Sequence, residues 1–228
     1  MLRSLKDLEG YTVSATDGDL GSVVNFLFDD ERWIVRYLVV ETGKFFEGRH
    51  VLISPISFRQ VDGSTRQFHV ALTKDKVKNS PGVETPADPS EKPSKDIHLR
   101  SARDIRGYHI QGSDEEIGHI ADFIIDDETW EVRYLVIDTS NWWVGKKVLV
   151  APHWASRINW EQSKVHVALS RETIKNSPEW NPAAAVNREY EARLYDYYGR
   201  PAYWAAALIP PEASPANHHV GSHLQSER

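Results

Sequence analysis

Apolar residues in this chain come in short alternating runs, each bounded by Gly, Asp, Ser or Pro, and most of its length carries no helical stripe. A period of two marks strands with one buried face. The strongest run is written twice: residues 29–42 read DDERWIVRYLVVET and residues 126–139 read DDETWEVRYLVIDT. Each copy is an acidic triplet, a tryptophan and an imperfectly alternating run of Val, Leu and Tyr. We read the run as a well-buried strand and the triplet as the turn that feeds it, since carboxylates are disfavoured in strands and tolerated in turns.

The duplication extends beyond this strand. Placing Leu2 on Leu99 aligns residues 2–81 with 99–178 without a gap, and roughly 30 positions are identical, which marks an internal repeat. A unit of about 80 residues can hold a small core of its own, so the copies need not stack as solenoid repeats do. In the first copy, Ser4 followed by Asp7 and Gly10 predicts a capped helical turn, kept in the second as Ser101, Asp104 and Gly107. Strands are predicted over 11–15, 22–28, 34–41, 49–54, 58–61 and 67–72, the early ones paired antiparallel. Pro55 ends the fourth of these, DGST makes a hairpin turn, and Thr73 caps a short helical segment that Pro81 closes. So many short strands in so short a unit predict a small closed β-barrel, because an open sheet of this size leaves exposed edges.

The chain therefore divides into repeat 1 (1–81), a Pro, Ser and charge-rich linker (82–97), repeat 2 (98–178), a helical extension (179–209) and a flexible tail (210–228). In the extension, Asn181 and Pro182 offer a cap and a first helical residue, Tyr190, Leu194, Tyr197 and Tyr198 form one apolar side, and Gly199 and Pro201 end the helix. The fold class is mainly β: two tandem barrels, a short C-terminal helix and a disordered tail. The barrels are expected to pack with pseudo-two-fold symmetry, the helix lying against one of them.

Leu-Arg-Ser at the start of each copy, then Leu-x-Gly-Tyr, Gly21 and the strand pair VNFLFDDERWIVRYLVV, resemble the PRC-barrel domain, and so does IADFIIDDETWEVRYLVI in the second copy. That family takes its name from the cytoplasmic domain of the photosynthetic reaction-centre H subunit, and the same domain forms the C-terminal half of ribosome maturation factors. The chain shows neither the membrane helix of the first nor the N-terminal domain of the second, and is similar instead to free-standing, mostly bacterial tandem members. The resemblance implies docking onto other macromolecules rather than catalysis: a protein-interaction or assembly module. A ribosome- or RNA-associated role and a role in assembling a reaction-centre-like complex are the alternatives it leaves open.

Composition narrows these. The net charge of −6 opposes non-specific nucleic-acid binding, so DNA is not an expected partner and RNA an unfavoured one. There are no cysteines, hence no thiol nucleophile and no thiolate metal site. The N-terminus lacks the apolar core of a signal peptide and no run approaches the roughly 18 apolar residues of a membrane span, so a cytoplasmic, soluble protein is expected.

Chemistry-bearing patterns are sparse. The ten histidines show no metal-ligand spacing, and neither a nucleophile elbow nor a glycine-rich phosphate loop occurs, so no enzyme, cofactor or metal is expected. The triplets Asp29, Asp30, Glu31 and Asp126, Asp127, Glu128 read as solvated turns rather than calcium loops, having no spaced ligands and no central glycine. His69 and His166, at matching positions in the last strand, read as hydrogen-bonded structural rings. Arg36 and Arg133 are placed to pair with Asp29 and Asp126. The sharpest difference between the copies is aromatic. Phe45 and Phe46 become Trp142 and Trp143, Ser57 becomes Trp154, and Gly63 becomes Trp160. Tryptophan combines large apolar area with a polar handle, so these six aromatic residues are the candidate contact surface for another protein or a second copy. The alternative is that they cover a barrel end or pack on the other repeat or the C-terminal helix.

Overall fold

The structure, a computed structural model, describes residues 1–43, 48–78, 98–139 and 146–205. In the first copy, β1 (Leu2–Ser4) and α1 (Leu5–Leu8) precede β2 (Thr12–Ala15), β3 (Gly18–Asp29), β4 (Ile34–Thr42), β5 (His50–Ile53), β6 (Phe58–Asp62), β7 (Gln67–Val70) and α2 (Lys74–Lys78). The second copy follows as β8 (Leu99–Ser101), α3 (Ala102–Ile105), β9 (His109–Gln111), β10 (Glu116–Asp126), β11 (Val132–Asp138) and β12 (Lys147–Val150). It continues through β13 (Ala155–Asn159), β14 (Lys164–Val167) and α4 (Arg171–Lys175), and α5 (Arg188–Tyr198) ends the described elements. The predicted linker at 82–97 and tail at 210–228 lie outside the described residues.

Each copy forms a seven-stranded sheet, ordered β5-β4-β3-β2-β7-β6 in the first and β12-β11-β10-β9-β14-β13 in the second. The expected antiparallel pairing holds for β2–β3 and β3–β4, whereas β2 pairs with β7, and β9 with β14, in parallel. The expected closed barrel is not completed by strand pairing among the described residues: β5 does not pair with β6, nor β12 with β13. At those corners the 3-10 turns Pro55–Ser57 and Pro152–Trp154 intervene, and a proline that cannot donate turns the chain out of the ladder.

The seventh strand of each sheet comes from the other repeat. β1 pairs with β10, Leu2 opposite Asp126 and Ser4 opposite Ile124, while β8 pairs with β3, Ser101 opposite Leu27 and Leu99 opposite Asp29. The long strands make room by changing partner along their length. β3 pairs with β2 through Gly18 to Ser22 and with β8 only from Leu27 onward. Between these stretches its register with β4 shifts at Val23/Asn25, and β10 repeats the shift at Ile120/Asp122. Such a bulge re-aims a side chain. Here it turns Asn25 onto α3, accepting from Arg103 N (3.1 Å) and donating to Ser101 Oγ (2.9 Å). Asp122 makes the same connection to α1, accepting from Lys6 N (3.1 Å) and Ser4 Oγ. Ser4 and Ser101 are themselves the predicted caps, accepting from Asp7 N and Asp104 N.

The two cores are consequently one. Buried residues of both copies join in a single cluster, and Phe28 of the first meets Phe123 of the second at 5.6 Å between ring centres. Gly21 and Gly118 are the positions where glycine is required: at φ of 155° and 158°, a Cβ would lie 2.0 Å from Glu41 O and 2.2 Å from Asp138 O.

α5 departs from its prediction. Asn181 caps only a turn, accepting from Ala183 N at 2.9 Å; the helix starts at Arg188 with Asn187 as its cap, accepting from Tyr190 N at 2.8 Å. Its buried side is Glu191, Leu194, Tyr195 and Tyr198, a proper i, i+3, i+4, i+7 stripe, while Tyr197 faces outward. Gly199, left-handed at φ 60°, ends it as expected.

Candidate interaction face

β4 and β11 start side by side around the pseudo-two-fold axis. Val35 N donates to Trp130 O and Val132 N to Trp33 O, so each acidic turn is carried across to the other repeat. The turns do more there than meet solvent. Asp127 accepts from Arg3 Nε (2.5 Å) and from the Met1 amine (2.6 Å), and Asp30 takes Arg100 Nε (2.6 Å) and His98 Nδ1 (3.0 Å). Each second aspartate thus clamps the strand exchanged into its sheet. Neighbouring cations hold the Asp127 carboxyl below its usual range despite partial burial. Arg133 pairs with Asp126 at 3.7 Å as expected, and more closely with Glu131 at 2.8 Å; Arg36 acts on Asp29 only through its field. Among the described residues no cluster of His, Asp or Glu is placed to hold a metal ion. His166 is half-buried, and its enclosed Nε2 has no hydrogen-bond partner among the described residues.

Beside the axis, the outer side of β11, the Pro152–Trp154 turn and the start of β13 form a face on repeat 2, and α5 fills it. Tyr134, fully buried, donates to Glu191 Oε1 at 2.8 Å, and Tyr203 donates to the same oxygen at 2.9 Å. Arg188 completes the enclosure of this 2% exposed carboxylate at 3.0 Å. Burial and the adjacent carboxylate push the Tyr134 hydroxyl far above its ordinary pKa, so it remains a donor. Trp154 packs on Tyr195 (5.3 Å) and Tyr198 (4.8 Å), and Arg133 lies 4.0 Å over Tyr203. The same burial raises Tyr195 to about 12.

Among the described residues, no element covers the matching face of repeat 1. It is a groove of about 680 Å³ between β4, the Pro55–Ser57 turn, β6 and the Asp127–Trp130 turn of the other repeat. Arg36 and Tyr37 occupy the places of Arg133 and Tyr134, and Pro55 that of Pro152. Phe58 forms part of the floor, packed on Phe68 and Trp130 at 5.2 Å each. Ile56 stands 93% exposed on the rim.

The six aromatic candidates separate accordingly. Phe45, Phe46, Trp142 and Trp143 lie outside the described residues. Trp154 is 5% exposed beneath α5, an intramolecular contact. Trp160 is half-buried, with Arg100 4.3 Å above its ring and Tyr108 at 6.1 Å, so it helps hold β8. The groove residues Arg36, Tyr37 and Ile56 were not singled out as contacts in the sequence; the signal present was their match to Arg133, Tyr134 and His153, with a Tyr-rich segment following only the second copy.

A family model described as PRC-barrel domain matches this chain twice, at residues 2–77 and 98–173. No curated protein matches it. Among the described residues no helix is long and apolar enough to cross a membrane.

Proposed function

The chain belongs to the PRC-barrel family, carrying the domain twice, and from that premise we propose that it is a non-enzymatic protein-interaction or assembly module whose working surface is the open groove of repeat 1. The observation that carries this reading is the unequal fate of two equivalent faces: one is sealed in cis by α5, while its counterpart leaves a large aliphatic side chain, Ile56, in solvent. The groove mixes apolar residues such as Ile34, Ile56, Phe58 and Trp130 with polar ones such as Arg36, Gln60 and Glu128, a composition usual for a protein contact. The non-catalytic part draws support from how the charged groups are used. Asp30, Asp127 and Asp122 are committed to holding exchanged strands and helix starts, and Glu191 to seating α5.

The test is a photo-crosslinking residue at position 56, irradiated in native lysate beside the same residue at Lys76, an exposed site outside the groove. A discrete adduct from 56 that Arg36→Glu abolishes, and none from 76, is expected. No adduct at 56, or the same products from both positions, counts against the module reading.

A further inference from the structure

The duplication supplies a template for what the groove accepts. Resting on the interaction-module reading, we infer that the open face of repeat 1 binds an amphipathic α-helix of another protein, which directs a carboxylate at Tyr37 and Arg36 and a large aromatic side chain over Ser57.

The helix follows from the equivalent face. On the same strands and the same proline turn, repeat 2 holds α5 by the stripe Glu191, Leu194, Tyr195 and Tyr198. A face that accommodates one helix on a given backbone frame presents the same length and crossing direction on the other copy of that frame. The carboxylate follows from Tyr37 and Arg36. Tyr134 gives its hydroxyl proton to Glu191, and Tyr37 projects from the matching strand position into the groove, where it is half-buried. Arg133 is flanked by Asp126 and Glu131, whereas the residue matching Glu131 in repeat 1 is Ile34. Of the groove's acids, Asp127 is engaged by Arg3 and the Met1 amine and Glu128 lies on the other repeat's turn, so losing the acid next to Arg36 leaves that end of the groove suited to an incoming carboxylate.

The large aromatic follows from a size difference. Trp154 meets Tyr195 and Tyr198 halfway; its counterpart is Ser57. Ser57 does not itself line the groove but stands between the lining residues Ile56 and Phe58, so a side chain packed at that edge must supply the missing indole volume itself, and unfilled volume weakens packing. Ile34 and Ile56 in place of Glu131 and His153 make the rest of the surface more apolar than its covered twin.

The helix comes from elsewhere because, among the described residues, this chain has none to offer. The two long segments outside the described residues, 79–97 and 206–228, contain no Phe, Tyr or Trp, and each carries several prolines that oppose a helix. A second copy could lend only α5, whose Leu194 and Tyr195 are buried on its own repeat; withdrawing it would expose Tyr134 and Trp154 to water.

The probe is a fluorescein-labelled peptide of residues 186–205 of this chain, titrated into the full-length protein and followed by anisotropy. Saturable binding is expected, weakened at least fivefold by Tyr37→Phe and by Ile56→Asp in the protein. Ser57→Trp, which gives the groove the indole this peptide fits, should tighten it at least fivefold. A peptide carrying Glu191→Gln should bind more weakly to the wild-type protein and lose clearly less against Tyr37→Phe, which ties part of the carboxylate's contribution to that hydroxyl. Absence of saturable binding up to about 1 mM, a ground-level affinity for any specific contact, overturns the proposal. So does binding indifferent to Tyr37→Phe and Ser57→Trp. A concentration-dependent dimer in light scattering that Ile56→Asp dissolves would assign the groove to a second copy instead. If position 56 crosslinks a partner while the peptide fails to bind, the module stands and the helical occupant falls; if crosslinking fails as well, both fall.

Discussion

In repeat 2, Tyr134 is fully buried and hydrogen-bonded to Glu191 under α5; in repeat 1, Tyr37, at the same place on β4, lines a groove whose rim residue Ile56 is 93% exposed. The frame beneath is shared: matching strand orders, the same proline corner, the same exchanged strand and the same aspartate clamp. What differs is the layer on top. Trp154 for Ser57, His153 for Ile56 and Glu131 for Ile34 convert a recess into a seat, and only the second copy is followed in the chain by a Tyr-rich helix. Duplication thus gives two equivalent faces different surroundings: one is covered by α5, and its twin is uncovered among the described residues.

The largest test of that division exchanges the residues that define it. Trp154→Ser imposes repeat 1's residue on the covered face and leaves a cavity against Tyr195 and Tyr198. By comparison with other aromatic truncations in cores, it should cost about 3–5 kcal/mol in urea unfolding and increase hydrogen exchange in 188–198. Ser57→Trp, the converse, should leave the unfolding midpoint nearly unchanged, because among the described residues no helix packs on that turn. Equal losses from both exchanges would mean that the two faces do not differ as described.

Glu191→Gln is next. It keeps the size of a 2% exposed side chain but removes the charge that two tyrosine hydroxyls and Arg188 surround. A loss of about 1–3 kcal/mol is expected, the range for a charged buried hydrogen-bond acceptor. Tyr37→Phe on the open face should change stability by less than about 0.5 kcal/mol, as for other substitutions at sites without buried partners.

The common frame was largely legible in the sequence, and the difference between its faces was not. Strands such as β4 and β6 announce themselves through alternation and turn residues, and Ser4 and Ser101 through cap spacing. The exchange of β1 and β8 is not local: Leu-Arg-Ser pairs equally well with either long strand, and only the three-dimensional closeness of the two acidic turns decides. The roles of Asp30 and Asp127 were hidden for the same reason, since their partners Arg100 and Arg3 are far away in the chain. Trp154 and Trp160 stood out by type, yet the type of a residue does not reveal what covers it. On α5 the predicted apolar side shares Leu194 and Tyr198 with the buried one, but Glu191 and Tyr195 take the places of Tyr190 and Tyr197, because Tyr134 and Tyr203 make burial of a carboxylate tolerable.

A smaller difference lies at the bulges, where Asn25 in one repeat faces Asp122 in the other. Burial raises the Asp122 pKa above its ordinary 3.8, more than its hydrogen bonds lower it. The folded protein therefore holds this proton to higher pH than the unfolded chain, and as pH rises from about 4 through the raised value the unfolded state gains. Asp122→Asn copies the repeat 1 solution, with the amide free to donate to Ser4 Oγ as Asn25 does to Ser101. The difference between variant and wild-type unfolding free energies should favour the variant increasingly across that window and then level off. Asn25→Asp should introduce the same dependence with opposite sign. A difference flat from pH 4 to 8 would place Asp122 in a wetter site than the structure gives it.

The smallest stability effect belongs to the residue of greatest functional weight in this reading. Ile56→Ser removes a side chain that touches little of its own protein, so its unfolding midpoint should stay within about 0.5 kcal/mol of wild type. Retention on a hydrophobic-interaction column should nevertheless fall, and the labelled 186–205 peptide should lose its affinity. A drop of several kcal/mol would show Ile56 to be part of the core, and the groove to be closed in solution. The pairing of an unchanged midpoint with lost binding separates a surface kept apolar for a partner from one kept apolar for the fold. His153→Ser on the other repeat is the matched control, since there α5 already occupies the seat and neither readout should move appreciably.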